Sequence, residues 1–179
     1  MQSNRESASR FVVTTIAIVQ LLAIAIWAGG LLALGAIVAP IVFRVVAAPT
    51  SADAMTLVFR RFDGVAVTCA VIALVAEAAF ASFGGRSTRG DLARGLCLVG
   101  ATALAITIGS WLSPGIAALH RGGAVRHVGQ AGQELEWLHK LAERLAKGEI
   151  VLLLAAFGLS VAKASRPPLP REPPSNRTD

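Results

Sequence analysis

The sequence predicts an all-α fold, an integral membrane antiparallel four-helix bundle, on three observations. Four long apolar runs cover most of the 179 residues. Glu77 is the only charged residue that interrupts them. A bilayer core about 30 Å thick requires about 20 helical residues. Three of the runs reach that length alone, and the fourth reaches it with the polar residues that precede it. The runs comprise residues 11–43, 64–83, 95–119 and 150–162.

The first run predicts a helix over about residues 11–43, after a disordered N-terminal tail at residues 1–10. This helix is longer than one membrane crossing needs, so we expect it to tilt, kink or project. Residues 47–63 are polar enough to predict a loop, with a short amphipathic turn at 56–62. The second run predicts a helix over about residues 64–83.

The third run predicts a helix over about residues 91–112. We expect Ser113-Pro114-Gly115 to break or end it, because proline lacks the backbone donor that a helix interior needs. A glycine-rich loop at residues 122–132 leads to a fourth helix over about residues 134–163. The Pro-rich, charged residues 164–179 are typical of a disordered tail.

The charge pattern disfavours a nucleic-acid partner. The net charge is +6, but the 17 basic residues are scattered over loops and tails and form no dense stripe. Loop Lys and Arg residues are instead typical of membrane proteins, where they set orientation. The short basic loop between the second and third helices favours cytoplasmic termini and the inner membrane. Cys69 and Cys97 fall near opposite ends of the spans, which argues against a disulfide or a metal pair.

Polar residues inside the apolar runs are the first candidates for function, because they are costly in hydrocarbon. Gln20, Glu77 and Thr102 are predicted at a similar depth, near the cytoplasmic end. Glu77 continues a helical stripe of small residues, so we expect it to point at neighbouring helices and not at lipid. The stripe consists of Ala66, Ala70, Ala73 and Ala81.

A second polar cluster is predicted about 20 Å up from the cytoplasmic end. It would join Trp27, Gly29, Gly30, Thr68, Ser110 and Glu149. Glu149 falls on the apolar stripe of the fourth helix, which directs its carboxylate toward the packed face. Two interpretations of Glu77 and Glu149 stay open: a proton or cation relay, or carboxylates that only tie helices together.

Most of the remaining polar chemistry falls at the outer end. Its candidate residues are Arg44, Arg60, Arg61, Asp63, His120, Arg121, His127, His139, Glu143, Arg144 and Lys147. One interpretation is a mouth that binds an anion, a headgroup or a metal ion, with His120 and His139 as metal ligands. The other is a set of interfacial residues solvated by water and lipid headgroups, with Asp63 as a helix N-cap.

The sequence carries no catalytic signature, such as a metal-binding HExxH or a nucleophile elbow. We therefore expect a protein that is not an enzyme and that uses no cofactor. The histidines fall at helix ends, which disfavours a bis-histidine haem site.

Four short motifs resemble a family of small four-span bacterial membrane proteins, a domain of unknown function similar to eukaryotic transmembrane-protein-205-like proteins. They are Trp27-Ala28-Gly29-Gly30, Ala39-Pro40-Ile41-Val42-Phe43, Phe59-Arg60-Arg61-Phe62-Asp63 and Leu138-His139. The Trp-x-Gly-Gly element is also similar to that of larger copper-resistance D-type membrane proteins. The resemblance implies a four-helix membrane bundle with no established activity. The association of its eukaryotic members with platinum-drug resistance implies metal or drug handling.

The sequence thus predicts a multi-pass membrane protein that binds or moves a small solute or metal ion through its outer polar patch. The alternative is a structural or assembly protein that acts through helix–helix contacts. The expected partners are the lipid bilayer and either a second copy or another membrane protein.

Overall fold

The computed structural model describes residues 2–47, 50–83 and 88–165, with the backbone alone at residues 2–10, 83 and 164. Every regular element within these residues is helical, and they form four long helices. Helix α1 comprises Gln2–Ala33, a π-helical segment Leu34–Val38 and Ala39–Val45. Helix α2 is Thr50–Phe83. Helix α3 comprises Arg89–Thr107, a π-helical segment Ile108–Leu112 and Ser113–Arg121, and α4 is Gly129–Ala164.

All four helices are long and apolar enough to cross a membrane. The qualifying stretches are Phe11–Val45, Thr50–Ser82, Arg89–Arg121 and Gly129–Lys163. The most apolar windows in them have mean hydropathies of 1.8 to 2.4. The all-helical fold and the four apolar helices predicted from the sequence are therefore confirmed.

Two prolines account for the two π-helical segments. Pro40 and Pro114 lie at the first turn of the α-helical segment that follows each π turn. Proline has no N–H to donate and its ring crowds the preceding turn. Before each proline, a backbone hydrogen bond spans five residues instead of four. Ala39 N–H donates to the Leu34 carbonyl, and Ser113 N–H donates to the Ile108 carbonyl. Ser113-Pro114-Gly115 was expected to break or end the third helix; the α-helix is interrupted by the π turn before Pro114, but it does not end there and continues to Arg121.

Three of the helices begin several residues earlier than the sequence predicts. Helix α2 begins at Thr50, within the expected loop, because Ser51 and Met55 lie one turn apart and are both buried. Helix α4 begins at Gly129, where buried Leu135 and Leu138 anchor its first turns. Helix α1 begins at Gln2, so residues 2–10 are helical where a tail is expected. Residues 84–87, in the expected loop between the second and third helices, and residues 166–179 of the expected tail lie outside the described residues, and residue 164 belongs to α4.

Small side chains line the contacts between helices. Helix α1 packs against α2 and α4, and α3 packs against the same two helices. The buried core combines a few large side chains with many alanines: Ile24, Trp27, Ala66, Ala70, Ala73, Leu98, Ala101, Leu153 and Ala156. Alanines let helices approach closely, so that dispersion contacts hold them together. Large apolar side chains such as Val75 and Val151 lie on the outside, exposed.

Candidate functional site

Two groups of polar side chains lie inside the helical assembly, and the first centres on an ion pair. We call it the proximal cluster: Gln20, Glu77, Asp91, Arg94 and Lys163. Arg94 is 3% exposed and binds Glu77 with two hydrogen bonds, from Nε at 2.8 Å and from Nη2 at 3.0 Å. Two parallel charge-assisted bonds are the strongest arrangement open to this pair. The guanidinium also lies 5.4 Å from the centre of the Phe80 ring.

The other members of the proximal cluster join all four helices. Gln20 on α1 donates from Nε2 to Glu77 Oε2 at 2.9 Å. Lys163 on α4 donates to Asp91 Oδ1 at 2.6 Å, and Arg94 Nη2 lies 3.3 Å from the same oxygen. Asp91 also closes a capping box with Thr88 at the start of α3. The two carboxylates and the two cations thus neutralise one another.

The sequence predicts part of this cluster correctly. Gln20 and Glu77 meet as expected, but the Thr102 hydroxyl donates to the Leu98 carbonyl of its own helix. Arg94 was not predicted as a member of this cluster, because it lies at the edge of an apolar run. A basic side chain in that position normally extends to the membrane–water interface. The spacing of Arg94 from Asp91, three residues, was the available signal.

The second group surrounds Glu149, and we call Trp27, Asp63 and Glu149 the distal cluster. Trp27 is 0% exposed and Glu149 is 1% exposed. The Trp27 indole Nε1–H donates to Glu149 Oε1 at 2.7 Å, which links α1 to α4. Among the residues that the structure describes, no Lys, Arg or His nitrogen forms an ion pair with Glu149. The carboxylate of Glu149 therefore differs from that of Glu77, which forms an ion pair with Arg94.

Asp63 reaches the distal cluster from α2. Its carboxylate packs against Gly109 in the π-helical segment of α3, where a Cβ would lie 3.6 Å from Asp63 Cγ. The preceding residue, Phe62, places its ring edge on Gly30 of α1. Any side chain at position 30 would meet this ring, so the two motifs that contain Gly30 and Phe62 depend on each other.

Three predicted members of this cluster lie elsewhere. Gly29 is exposed on the outer face of α1, where a Cβ would meet no heavy atom within 4 Å. Thr68 and Ser110 are exposed and donate to the Gly64 and Ile106 carbonyls of their own helices. These hydroxyls form their hydrogen bonds within their own helices, so they do not require a partner across the core.

Beyond the distal cluster, the end of α3, the loop that follows it and the start of α4 form a polar surface that we call the distal patch: His120, Arg126, His127, Glu136, His139 and Lys140. The His120 and His139 rings meet edge to face, with centres 5.7 Å apart. Lys140 lies 3.2 Å from Glu136, and Arg126 and His127 approach it at 3.8 and 3.9 Å. Glu136 Oε2 and His139 Nε2 are buried without a hydrogen-bond partner in the described part of the chain. Glu136 was missed because its partners Arg126 and His127 lie in the loop before α4, and the sequence does not show how that loop packs against the helix.

The structure brings only some of the outer residues together. His120 and His139 are in contact as the metal prediction needs, but residues 2–47, 50–83 and 88–165 contain no group of three His, Cys, Asp or Glu residues that could hold a metal ion. Arg44, Arg60 and Arg61 are exposed on α1 and α2, and so are Arg121 and Arg144. Glu143 pairs with Lys147 at 2.7 Å on the exposed face of α4. Cys69 and Cys97 are both free thiols.

Comparison with known proteins identifies a family and no activity. The match covers residues 22–124, more than half of the chain, and includes Trp27, Gly30, Asp63, Glu77 and Arg94. Glu149 and His139 lie beyond it. No curated protein and no solved structure matches the chain. The chain belongs to the family of the domain of unknown function DUF4149.

Proposed function

We propose that the chain is a multi-pass protein of the inner membrane, with its four helices in an antiparallel bundle and its termini in the cytoplasm. Four apolar helices support the insertion. The contacts of α3 with α4 support the antiparallel arrangement, since Lys163 meets Asp91 while Leu138 meets Gly115. The basic residues of the short connection before α3 support the orientation.

Exposed charges on α4 suggest where the bilayer lies. Lys147 and Lys163 are 71% and 48% exposed. The helix rises about 24 Å between them. The outward side chains in this interval are apolar and include Val151, Leu154 and Phe157. Lysine heads can extend to the headgroups, so this interval suits a hydrocarbon core of about 30 Å. Glu149 then lies just inside the outer edge, with the distal patch outside.

Within this bundle, we propose that the protein binds a small cation, a proton or a metal ion, and moves it across the bilayer by way of the distal patch and Glu149. The observation that carries the proposal is the burial of Glu149 without a cationic side chain. A carboxylate in an apolar interior is very costly unless a positive charge accompanies it. An exchangeable cation would supply that charge. This role requires no catalytic group, and we propose that the protein is not an enzyme.

The distal patch suits the capture of such a cation. The imidazoles of His120 and His139 lie side by side, and one nitrogen of His139 is buried without a partner. Imidazole nitrogens bind protons and transition metals alike. Glu136 supplies the patch with a carboxylate that Lys140 only partly occupies.

A flux measurement in lipid vesicles tests the proposal. The purified full chain is reconstituted into vesicles that enclose either a pH-sensitive dye or a Zn²⁺-sensitive dye, and a gradient of the same cation is imposed. We expect wild-type flux above that of empty vesicles, and at least a tenfold loss in Glu149→Gln. The matched control, Glu143→Gln, changes an exposed carboxylate on the same helix and should retain the flux.

Two results would reject this function. One is wild-type flux of both cations no faster than in empty vesicles. The other is a Glu149→Gln protein that keeps the wild-type rate, because the buried carboxylate would then have no part in the flux.

An exposed row of small residues favours a second candidate, an assembly role through contacts with a second copy or a membrane partner. Ala25, Gly29 and Ala33 lie four residues apart and are all exposed on α1. A Cβ at Gly29 would meet no atom within 4 Å. Small residues at this spacing let two membrane helices approach closely.

Cysteine crosslinking separates the two candidates. In a variant with Cys69→Ser and Cys97→Ser, the substitution Ala25→Cys should yield a crosslinked dimer in native membranes if α1 pairs with itself. The added substitution Gly29→Leu should abolish it, whereas Gly158→Leu on the outer face of α4 should not. Absence of any specific crosslink from Ala25→Cys would reject pairing through this face.

A further inference from the structure

We infer that the cation held by Glu149 is a proton, carried on Oε2 and exchangeable with water. The inference deepens the proposed function by naming the ligand of the same site. It depends on three features of the structure: the charges that face Glu149, the hydrogen bond that it accepts, and the number of ligand atoms around it.

Among the described residues, no cationic side chain forms an ion pair with Glu149. Helix α1 has no charged residue between Phe11 and Phe43, and α3 has none between Arg94 and His120. On α2, Asp63 is also acidic and packs against Gly109 of α3, whereas Arg60 and Arg61 are exposed. On α4 itself, Lys147 is 71% exposed and donates to Glu143. The surroundings therefore favour the neutral form of the carboxyl group.

The hydrogen bonding fits a neutral carboxyl group. Trp27 Nε1–H donates to Oε1 at 2.7 Å, and no other described residue donates to Glu149. An ionised carboxylate offers about four acceptor sites, whereas a protonated carboxyl group keeps fewer acceptor sites and gains one O–H donor. One indole donor suits a carbonyl oxygen, which assigns Oε1 as the C=O and Oε2 as the protonated oxygen.

The ligand count favours a proton over a metal ion. Calcium takes six to eight oxygen ligands and magnesium six. The described residues contain no group of three or more acidic, His or Cys side chains arranged so that it could hold a metal ion. A proton needs only one oxygen lone pair, and Glu149 can supply it without a second residue. Glu149 also lies about 3 Å along the helix axis from exposed Lys147, so it is close to the outer edge of the proposed hydrocarbon core.

Infrared difference spectroscopy of the full chain in lipid vesicles tests this directly. A protonated carboxylic acid has a C=O stretching band above the amide I band, and a carboxylate does not. At neutral pH we expect wild type minus Glu149→Gln to give this band with the intensity of one carboxylic acid. Transfer to D₂O should shift it within minutes, because the proton exchanges. The Glu143→Gln control should leave the band unchanged.

The variant Trp27→Phe provides an independent readout if Glu149→Gln does not fold. Loss of the indole donor should move the band to higher wavenumber, because the C=O of Glu149 is no longer hydrogen-bonded. A missing band in the wild-type protein overturns the inference. So does a band that Glu149→Gln or Trp27→Phe leaves unchanged, or one that does not shift after hours in D₂O, which would mark a trapped structural proton.

The outcomes distinguish this inference from the proposed function. An exchangeable band at Glu149 without measurable flux would leave the proton site standing and reject transport. Zn²⁺ flux that depends on Glu149 without such a band would reject the proton and retain transport.

Discussion

Glu77 and Glu149 are both carboxylates within apolar helices, and their surroundings differ in nearly every respect. Glu77 accepts two hydrogen bonds from Arg94 and one from Gln20. Glu149 accepts one, from Trp27. The side chain of Glu77 is 18% exposed, whereas Glu149 is 1% exposed. The more deeply buried carboxylate is therefore the one without a charged partner.

This difference separates a structural use of a buried acid from a candidate functional one. The proximal cluster neutralises itself, so it needs nothing from outside the chain. Such a closed network fixes the register of the helices, and removal of a buried member leaves its partner unpaired and destabilises the fold. The distal cluster lacks a positive charge, and that deficit is the reason to look for a ligand there. Substitutions at the two carboxylates and their partners test whether they differ in this way.

The largest effect is expected from Arg94→Met. The substitution leaves Glu77 in the helix interface with no cation, which costs about 3–5 kcal/mol for a buried pair that loses one partner. Asp91 loses a neighbour as well. Unfolding of the protein by denaturant in mixed micelles measures the change in the free energy of unfolding. The matched change at the other carboxylate, Glu149→Gln, should cost less than about 1 kcal/mol, because a glutamine oxygen still accepts from Trp27.

A double variant makes this prediction sharper. Glu77→Gln combined with Arg94→Met removes both charges, so it should be more stable than Arg94→Met alone. If the single and double variants are equally unstable, the loss comes from packing of the long arginine stem and the ion pair is not its cause.

The second effect, about 2–3 kcal/mol, is expected from Trp27→Phe, which removes the one donor to Glu149 and leaves a gap in the core. Trp137→Phe is the matched control, because Trp137 is 55% exposed and packs edge to face on Trp111. Thermal unfolding followed by far-ultraviolet circular dichroism compares the two. Equal midpoints would show that the buried indole contributes no more than the exposed one.

The adjacent glycines Gly29 and Gly30 provide a third test, in which the packing around the distal cluster changes and its charges do not. The larger expected change in the free energy of unfolding is about 1–2 kcal/mol. In Gly30→Ala the new methyl group meets the Phe62 ring, so the ring or α1 must shift, and overpacking is destabilising. Gly29→Ala adds the same group in open space and should change stability by less than about 0.5 kcal/mol. Unfolding midpoints of the two variants should differ in this order, and a reversed order would contradict the packing of Phe62 on Gly30.

Much of the fold and part of the site follow from the sequence. The apolar runs predict four helices because uncharged stretches of this length have few other uses. The pairs Gln20–Glu77 and Trp27–Glu149 follow from depth along a helix, because the rise per residue is fixed. Depth does not give direction around the helix, and this is why Thr68, Thr102 and Ser110 were misassigned. Each of these hydroxyls has a carbonyl four residues back that it can reach without leaving its helix.

The remaining errors come from packing that local sequence does not encode. Residues 50–63 look like a loop because they are polar, yet they are helical because Ser51 and Met55 are buried against the rest of the chain. Pro114 looks like a helix end, and a π turn absorbs it instead. The role of Arg94 depends on Glu77, which is 17 residues away and on another helix.

The smallest effect is expected from Lys163→Met, at the edge of the proximal cluster. Lys163 is 48% exposed, and exposed ion pairs contribute at most about 1 kcal/mol. Asp91 keeps Thr88 and Arg94 as partners, and methionine can retain the contact with the Phe80 ring that the lysine now makes. Lys147→Met, which breaks an exposed pair on the same helix, is the control and should not change the unfolding midpoint measurably. If Lys163→Met instead destabilised the protein as much as Arg94→Met, the proximal cluster would depend on its exposed rim. The stability of the proximal cluster would then depend on all four charges. The ion pair of Glu77 with Arg94 would not be sufficient to hold the cluster together.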